Sequence, residues 1–348
     1  MRVGRIRRSY RRINEDRAIL AALIAAIGTA IVASTLPDFL SMIPGGRTTE
    51  ICISAAGFLV LAVSWISLHG RSGVGVAVFL QPEPTSGWSD ARLMEYAAEV
   101  RGRHVSFFYV NADDLHSGPG VDRRQLTQKV IEARLREENP KRSSQISFYL
   151  TCGLENSFHL GREVFNSAHG ASLRIHDFQD IAVHQVSNSG TVGALPPLQL
   201  VGTPAGPRTS NSAYQLPATV RIQAVALNNG NVNRHALIVC ISPNAAGRAA
   251  EAREAARTGA HARYQVTAGD ICSTALVVEC SDFPNDHRAY NELLRQTLRA
   301  WLSHLSSMNA SHGSVPDGRL FISAPTSLAF ALGALMPSVP RTQIIEHV

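Results

Sequence analysis

The sequence predicts an α/β fold: two tandem, Rossmann-like units on mostly parallel sheets, preceded by an α-helical transmembrane hairpin. Three observations predict it. Short apolar, β-rich runs alternate with helical patterns from residue 74 onward. The same order of elements recurs in the second half of the chain. Two long uncharged runs precede both halves.

Composition sets the scale. A chain of 348 residues, 45% hydrophobic and 17% charged, has room for two or three domains with ample cores. This excludes a disulfide-stapled mini-protein and a disordered charged tail. The net charge is +6, but residues 1–17 hold seven arginines against Glu15 and Asp16. The basic character therefore belongs to a terminal tail, and no DNA or RNA partner is expected. The five cysteines, Cys52, Cys152, Cys240, Cys272 and Cys280, include no Cys-x-x-Cys pair and read as reduced, mostly buried thiols.

Residues 18–36 (AILAALIAAIGTAIVASTL) and 51–68 (ICISAAGFLVLAVSWISL) carry no charge. At about 1.5 Å per residue each reaches close to the ~30 Å hydrocarbon core of a bilayer. A hairpin of two spanning helices, residues 18–68, accounts for both. The alternatives are a cleaved signal peptide over the first run and a buried soluble helix pair. Arginines cluster before the first run, with Arg47 between the runs and Arg71 after the second. The positive-inside rule then places both termini in the cytoplasm, with multi-pass anchoring in the inner membrane and lipid as a partner. Gly28 with Ala22, Ala25, Ala26 and Ala30 leaves one helix face open to close packing.

The first α/β unit is expected over residues 73–178. It has strands at 74–80 (VGVAVFL), 104–110 (HVSFFYV), 145–150 (QISFYL) and 173–178 (LRIHDF), with helices near 89–102, 122–138 and 155–167 between them. The second unit, 235–348, repeats the order. Its strands are 236–241 (ALIVCI), 274–279 (TALVVE), 320–323 (LFIS) and 343–347, and its helices are 245–258, ended by Gly259, then 285–306 and 327–335. FYLTCGLENSFHLG aligns on LFISAPTSLAFALG at an offset of 172, with Phe158 over Phe330, Leu160 over Leu332 and Gly161 over Gly333. Residues 179–234 form a connecting insertion. Its Pro/Gly/Ser-rich part (PPLQLVGTPAGPRTSNS) reads as loop, and residues 220–227 as a weak strand.

Parallel sheets bind ligands outside the carboxyl ends of their strands. The candidate ligand residues are therefore Gln81, Glu83 and Thr85; Asn111 and Asp113; Thr151, Cys152, Gly153 and Glu155; Ser242 and Asn244; Ser281; and Ser323, Ala324, Pro325, Thr326 and Ser327. Helix entries at Glu155–Asn156 and Thr326–Ser327 offer free N–H groups to a phosphate, although Asn156, Thr326 and Ser327 also suit simple capping. Trp88 suits base stacking or a core position. His176 and His347 fall at equivalent last strands and read as structural. No Gly-x-Ser-x-Gly, His-Glu-x-x-His, Walker loop or Gly-x-Gly-x-x-Gly after a strand occurs, and the histidines lack metal-ligand spacing. The expectation is a non-enzymatic protein with no cofactor and no metal.

The C-terminal run GRLFISAPTSLAFALGALMP…TQIIEHV resembles the closing motif of SAVED domains over about thirty residues, and the duplicated layout extends the likeness to residues 73–348. SAVED domains are similar to two fused CARF-like units. They are receptors for cyclic oligonucleotides in the anti-phage systems called CBASS. The resemblance implies an effector in which two membrane helices replace a fused enzyme. A cyclic di- or trinucleotide would bind between the units, with Ser323, Ala324, Pro325, Thr326 and Ser327 matching the motif turn. Head-to-tail assembly into a homo-oligomer would then cluster the hairpins and breach the inner membrane. The first unit departs from the motif, reading Thr-Cys-Gly-Leu-Glu-Asn, and Arg162 or Arg174 would have to supply cationic contacts. Two other classes stay open: a membrane-anchored enzyme degrading a nucleotide messenger, and a membrane scaffold that binds no ligand.

Overall fold

Strands made wholly of apolar residues need cover on both faces, and the chain supplies it with helices. In the computed structural model the described residues are 73–80, 97–98, 100–112, 122–138, 145–167, 172–177, 198–203, 206–209, 214–227, 233–283, 287–312, 316–336 and 342–347. All belong to one unit, Gly73–Val348. Its first half runs β1 (Val74–Leu80), β2 (Ser106–Asn111), α1 (Arg123–Glu138), β3 (Ile146–Cys152), α2 (Leu154–Ser167) and β4 (Ser172–Asp177). Then come β5 (Leu198–Thr203), β6 (Gly206–Thr209) and β7 (Arg221–Ala226). The second half runs β8 (Arg234–Ile241), α3 (Ala245–Thr258), β9 (Thr274–Cys280), α4 (His287–His312), β10 (Asp317–Ser323), α5 (Thr326–Leu335) and β11 (Thr342–Ile344).

The strands form two sheets. Sheet A has the order β2-β1-β3-β4-β5-β6, and sheet B the order β11-β10-β8-β9-β7. The first four strands of sheet A are parallel, as are β11, β10, β8 and β9. By position within its half, each set reads second, first, third, fourth. The topology therefore repeats as well as the sequence. In each sheet the order of strand connection reverses between the first and third strands, at β1/β3 and at β8/β10, which is where Rossmann-like sheets open a crevice.

One apolar core joins the inner faces of both sheets. It takes Val76, Val78, Phe148 and Leu150 from sheet A, Leu237, Val239, Leu320 and Ile322 from sheet B, and Phe158, Trp301 and Phe330 from the helices between. At its centre α2 lies against α5, and Phe148 of β3 meets Phe330 of α5 with the rings 5.2 Å apart. A Cβ on Gly161 would stand 2.0 Å from the Phe330 carbonyl oxygen, and one on Gly333 would stand 1.9 Å from that of Phe158. The two contacts exchange when the halves are exchanged, so the pair obeys a local two-fold. Ser157 meets Thr326 and Gly161 meets Phe330 at the same offset, so the helices run in the same direction and both begin at one end. On the far face of sheet B, Ala245, Ala249, Ala252 and Ala256 of α3 pack on Ala236, Ile238, Val277 and Phe321. Gly259 ends α3 in the left-handed region at φ 67°.

The insertion differs from its expected form. Leu198–Thr203 and Gly206–Thr209 are not loop but an antiparallel hairpin that extends sheet A beyond β4. Pro207 is tolerated because β6 is the last strand in sheet A's order, where a missing N–H costs no ladder bond on the open side. Residues 221–226 pair antiparallel with β9.

The expected inner-membrane localisation is corrected. Among the described residues no helix is long and apolar enough to cross a membrane. The longest, α4, has 26 residues, but Arg288, Glu292, Arg295 and Arg299 interrupt it. Residues 18–68, on which the spanning hairpin was expected, and the tail 1–17 lie outside the described residues.

Candidate functional site

The common direction of α2 and α5 brings two strand-to-helix turns to one end of the core. Ser157 Oγ donates a hydrogen bond of 2.8 Å to the Thr326 carbonyl oxygen and joins the two helix starts. Thr151 and Cys152 close β3, Gly153 forms the turn, and Glu155 stands in the first turn of α2. Opposite, Ser323 ends β10, Ala324 and Pro325 form the turn, and Thr326 and Ser327 open α5. Pro325 is the N-cap and makes no side-chain cap bond, so the capping role foreseen for Thr326 or Ser327 falls to neither. The proline ring fixes the turn, and the first N–H groups of α5 point out of its start.

The two turns differ in charge. The first turn of α5 has no acidic residue, whereas that of α2 carries Glu155. Burial, and then the neighbouring Glu346 and Asp122, hold the Glu155 carboxyl above the usual carboxylate range despite Arg124. Arg124 reaches Glu155 at 3.4 Å and Asp122 at 3.5 Å. His159, at 3.7 Å from Glu155, is pushed down to about 4, first by burial and then by Arg124 and Arg162. It is therefore neutral at pH 7 and makes no ion pair. Burial also raises Glu163. An incoming anion thus meets neutral hydroxyls and N–H groups at α5 and a carboxylate at α2.

Thr151 is only 7% exposed, and its Oγ1 is buried without a hydrogen-bond partner; the Ser242 Oγ is likewise buried and unpartnered. Buried hydroxyls nearly always find partners, so each of these two is a position where a ligand or water can supply the missing bond. Ser242 and Asn244 follow β8, beside β10 at the reversal point of sheet B. Asn111 ends β2 and Ser281 follows β9, each two strands removed from the turns of α2 and α5. These two stand at the rim. Gln81, Glu83, Thr85, Asp113 and Trp88 lie outside the described residues.

Arg162 donates from Nη2 to the Thr342 carbonyl oxygen at 3.0 Å and lies 4.8 Å over the Phe158 ring, which ties α2 to β11. Arg174 lies on β4 between core residues Leu173 and Ile175, so its side chain leaves from the opposite face. On that face His176 stacks on Tyr149 at 4.4 Å, and the Tyr149 hydroxyl bonds His104 Nε2 at 2.8 Å. Burial pushes His176 down to about 3 and Tyr149 up to about 12, which suits a structural pair. The sequence reasoning passed over Arg124, His159 and Glu163. The i, i+4 spacing of Glu155, His159 and Glu163 was the available signal. Among the described residues, no group of His, Cys, Asp and Glu could hold a metal.

No family model matches the chain, and no curated protein matches it. Among solved structures, the chain is similar to an Acinetobacter baumannii Cap4 SAVED/CARF-domain containing receptor. With the cyclic trinucleotide 3'3'3'-cAAA, that receptor matches at TM-score 0.44 and 12% identity over 86% of this chain and 58% of its own. The form with 2'3'3'-cAAA matches at TM-score 0.42 and 13% identity with the same coverage. The receptor described without a ligand matches at TM-score 0.39, covering 51% of its own length. This chain thus spans little more than half of the receptor it matches, and a likeness this distant says nothing of function.

Proposed function

We propose that the chain is a receptor for a cyclic di- or trinucleotide, bound where the starts of α2 and α5 meet. The observation that carries the proposal is the local two-fold, with two strand-to-helix turns side by side and joined through Ser157 and Thr326. A cyclic oligonucleotide has its own repeated phosphates and bases, and a two-fold cleft presents two related sets of contacts to such a ring. The SAVED-like motif falls on the same turn, at Ser323 to Ser327. In this reading a phosphate takes the start of α5, because no carboxylate stands there. The side near Glu155 takes a donor-bearing base edge, because a carboxylate accepts hydrogen bonds and repels phosphate.

The proposal is of binding without turnover, with self-assembly as the output. Membrane breaching is not part of it, because no described helix can cross a bilayer. The test is a titration of the full chain with a panel of cyclic di- and trinucleotides, followed by mass analysis of the ligand. One member should raise the melting temperature, increase particle size and be recovered intact. Cleavage of the ligand would assign the protein to messenger degradation instead.

A further inference from the structure

Sheet B ends on β7, and that strand differs from the other strands that close a sheet. β2 has no exposed residue, β6 carries Pro207, and β11 is three residues long. Burial, proline and shortness are the usual protections of a sheet edge against pairing with another chain. β7 has none of them. It runs over six residues, Arg221–Ala226, without proline or lysine, and Arg221, Gln223, Ala224 and Ala226 are exposed.

The register tells which backbone groups are open. β7 is antiparallel to β9, with Arg221 opposite Glu279 and Ala226 opposite Thr274. Just past the strand, the Leu227 N–H donates to the Ser273 carbonyl oxygen at 2.9 Å. Bonded residues alternate in an antiparallel ladder, so Val225, Gln223 and Arg221 also turn their N–H and C=O groups toward β9. Ile222, Ala224 and Ala226 turn theirs the other way, to the outer edge of sheet B. Among the described residues no hydrogen bond meets these outward groups. The strand is nevertheless held in place: Ile222 packs on the core shared with sheet A, and Val225 and Leu227 on the core under α3.

β7 is complementary to itself. Laid antiparallel on a second copy about Ala224, it sets Ala224 opposite the partner's Ala224 and Ile222 opposite the partner's Ala226. These are the positions with outward N–H and C=O groups, so opposed residues exchange both bonds. Gln223 falls opposite the partner's Val225. Arg221, the one charged residue of β7, falls opposite the partner's Leu227 and lies 3.6 Å from Glu279 of its own sheet. No like charges meet across the pair. We propose that β7 pairs with β7 of a second copy of this chain, joining the two B sheets into one continuous sheet across a two-fold axis at Ala224. The pairing needs no ligand, so it stands apart from the cyclic-nucleotide reading.

The test uses the full chain without ligand, sized by sedimentation over a range of concentrations. A concentration-dependent dimer is expected. Ala224→Lys brings two ammonium groups together on the axis and should weaken the dimer more than about 10-fold. Its melting temperature, taken where the chain is monomeric, should hold, because the position is exposed. Two cysteine variants check the register without relying on that one. Ala224→Cys should give a disulfide-linked dimer under mild oxidation, since opposed Cα atoms of a bonded pair lie about 5.5 Å apart. Ala226→Cys should not, because its copy lies four residues along the strand, roughly 13 Å away. The wild type is the control, and the cysteines among its described residues are all buried. A wild type that stays monomeric, a dimer of unchanged strength in Ala224→Lys, or equal linkage through positions 224 and 226 overturns the proposal.

Discussion

Single residues decide how closely the two halves approach. Gly161 and Gly333 face carbonyl oxygens at distances no Cβ can occupy. Gly161→Ala and Gly333→Ala should each cost about 2–3 kcal/mol in urea unfolding, because backbone must move to admit the methyl group. The two costs should be similar, as the contacts are related by the local two-fold. Gly247→Ala is the contrast: its new methyl would meet only the Asn244 side chain, which can turn away, so the change should be neutral or stabilising. Arg319 is the other sensitive residue. It is 6% exposed and bonded to Asp270 at 2.8 Å and Asp317 at 2.9 Å. Burial alone would raise Asp270, but hydrogen bonds from Arg319 and Thr267 outweigh it and hold the carboxyl below its usual range. Arg319→Met should therefore cost about 3–5 kcal/mol by stranding that charge, measured by the same unfolding.

Titration follows from buried imidazoles. His159, His176 and His304 all have lowered values in the fold, with burial as the largest cause. An unfolded chain takes up these protons near pH 6.5, whereas the folded chain resists until about 4 for His159 and about 3 for His176. Their contribution is thus complete above about pH 6.5 and declines as pH falls toward those values. Glu155 and Glu163, shifted upward chiefly by burial, act in the opposite sense. The melting temperature should fall steadily from pH 7 to 5.5; a flat profile there contradicts the assignment.

Among the elements, those that repeat were the most legible. The strand β8 and the helices α3 and α5 are visible in continuous apolar runs and in Gly259, because local pattern and tertiary role agree. Even the α2–α5 contact is foreshadowed by FHLG over FALG, since the residues that coincide are those that touch. The hairpin of β5 and β6 was not legible: GTPAGP has a loop's composition, and only pairing beside β4 makes it a strand pair. The turn at Ser323 to Ser327 is contiguous and could be read. The turn of α5 also carries a test. Ala324→Glu puts a carboxylate before a helix start, where it supports the helix while repelling phosphate. Ala324 is half-buried against the core, so some loss of thermal stability is expected and is read separately by melting temperature, while cyclic-nucleotide affinity should drop more than about 10-fold in calorimetry.

For the whole molecule, the repeated topology and the common direction of α2 and α5 turn a duplicated chain into a two-fold cleft with unlike sides. One side offers hydroxyls and the N–H groups of a helix start; the other offers Glu155 beside Arg124 and His159. Such a cleft would favour a ring whose phosphates and bases alternate. The most direct measurement is calorimetric titration of the full chain with cyclic di- and trinucleotides, repeated on Ala324→Glu. The account predicts saturable binding of at least one member by the wild type and its loss in the variant. No binding by a folded wild-type chain, or equal binding by the variant, would contradict it.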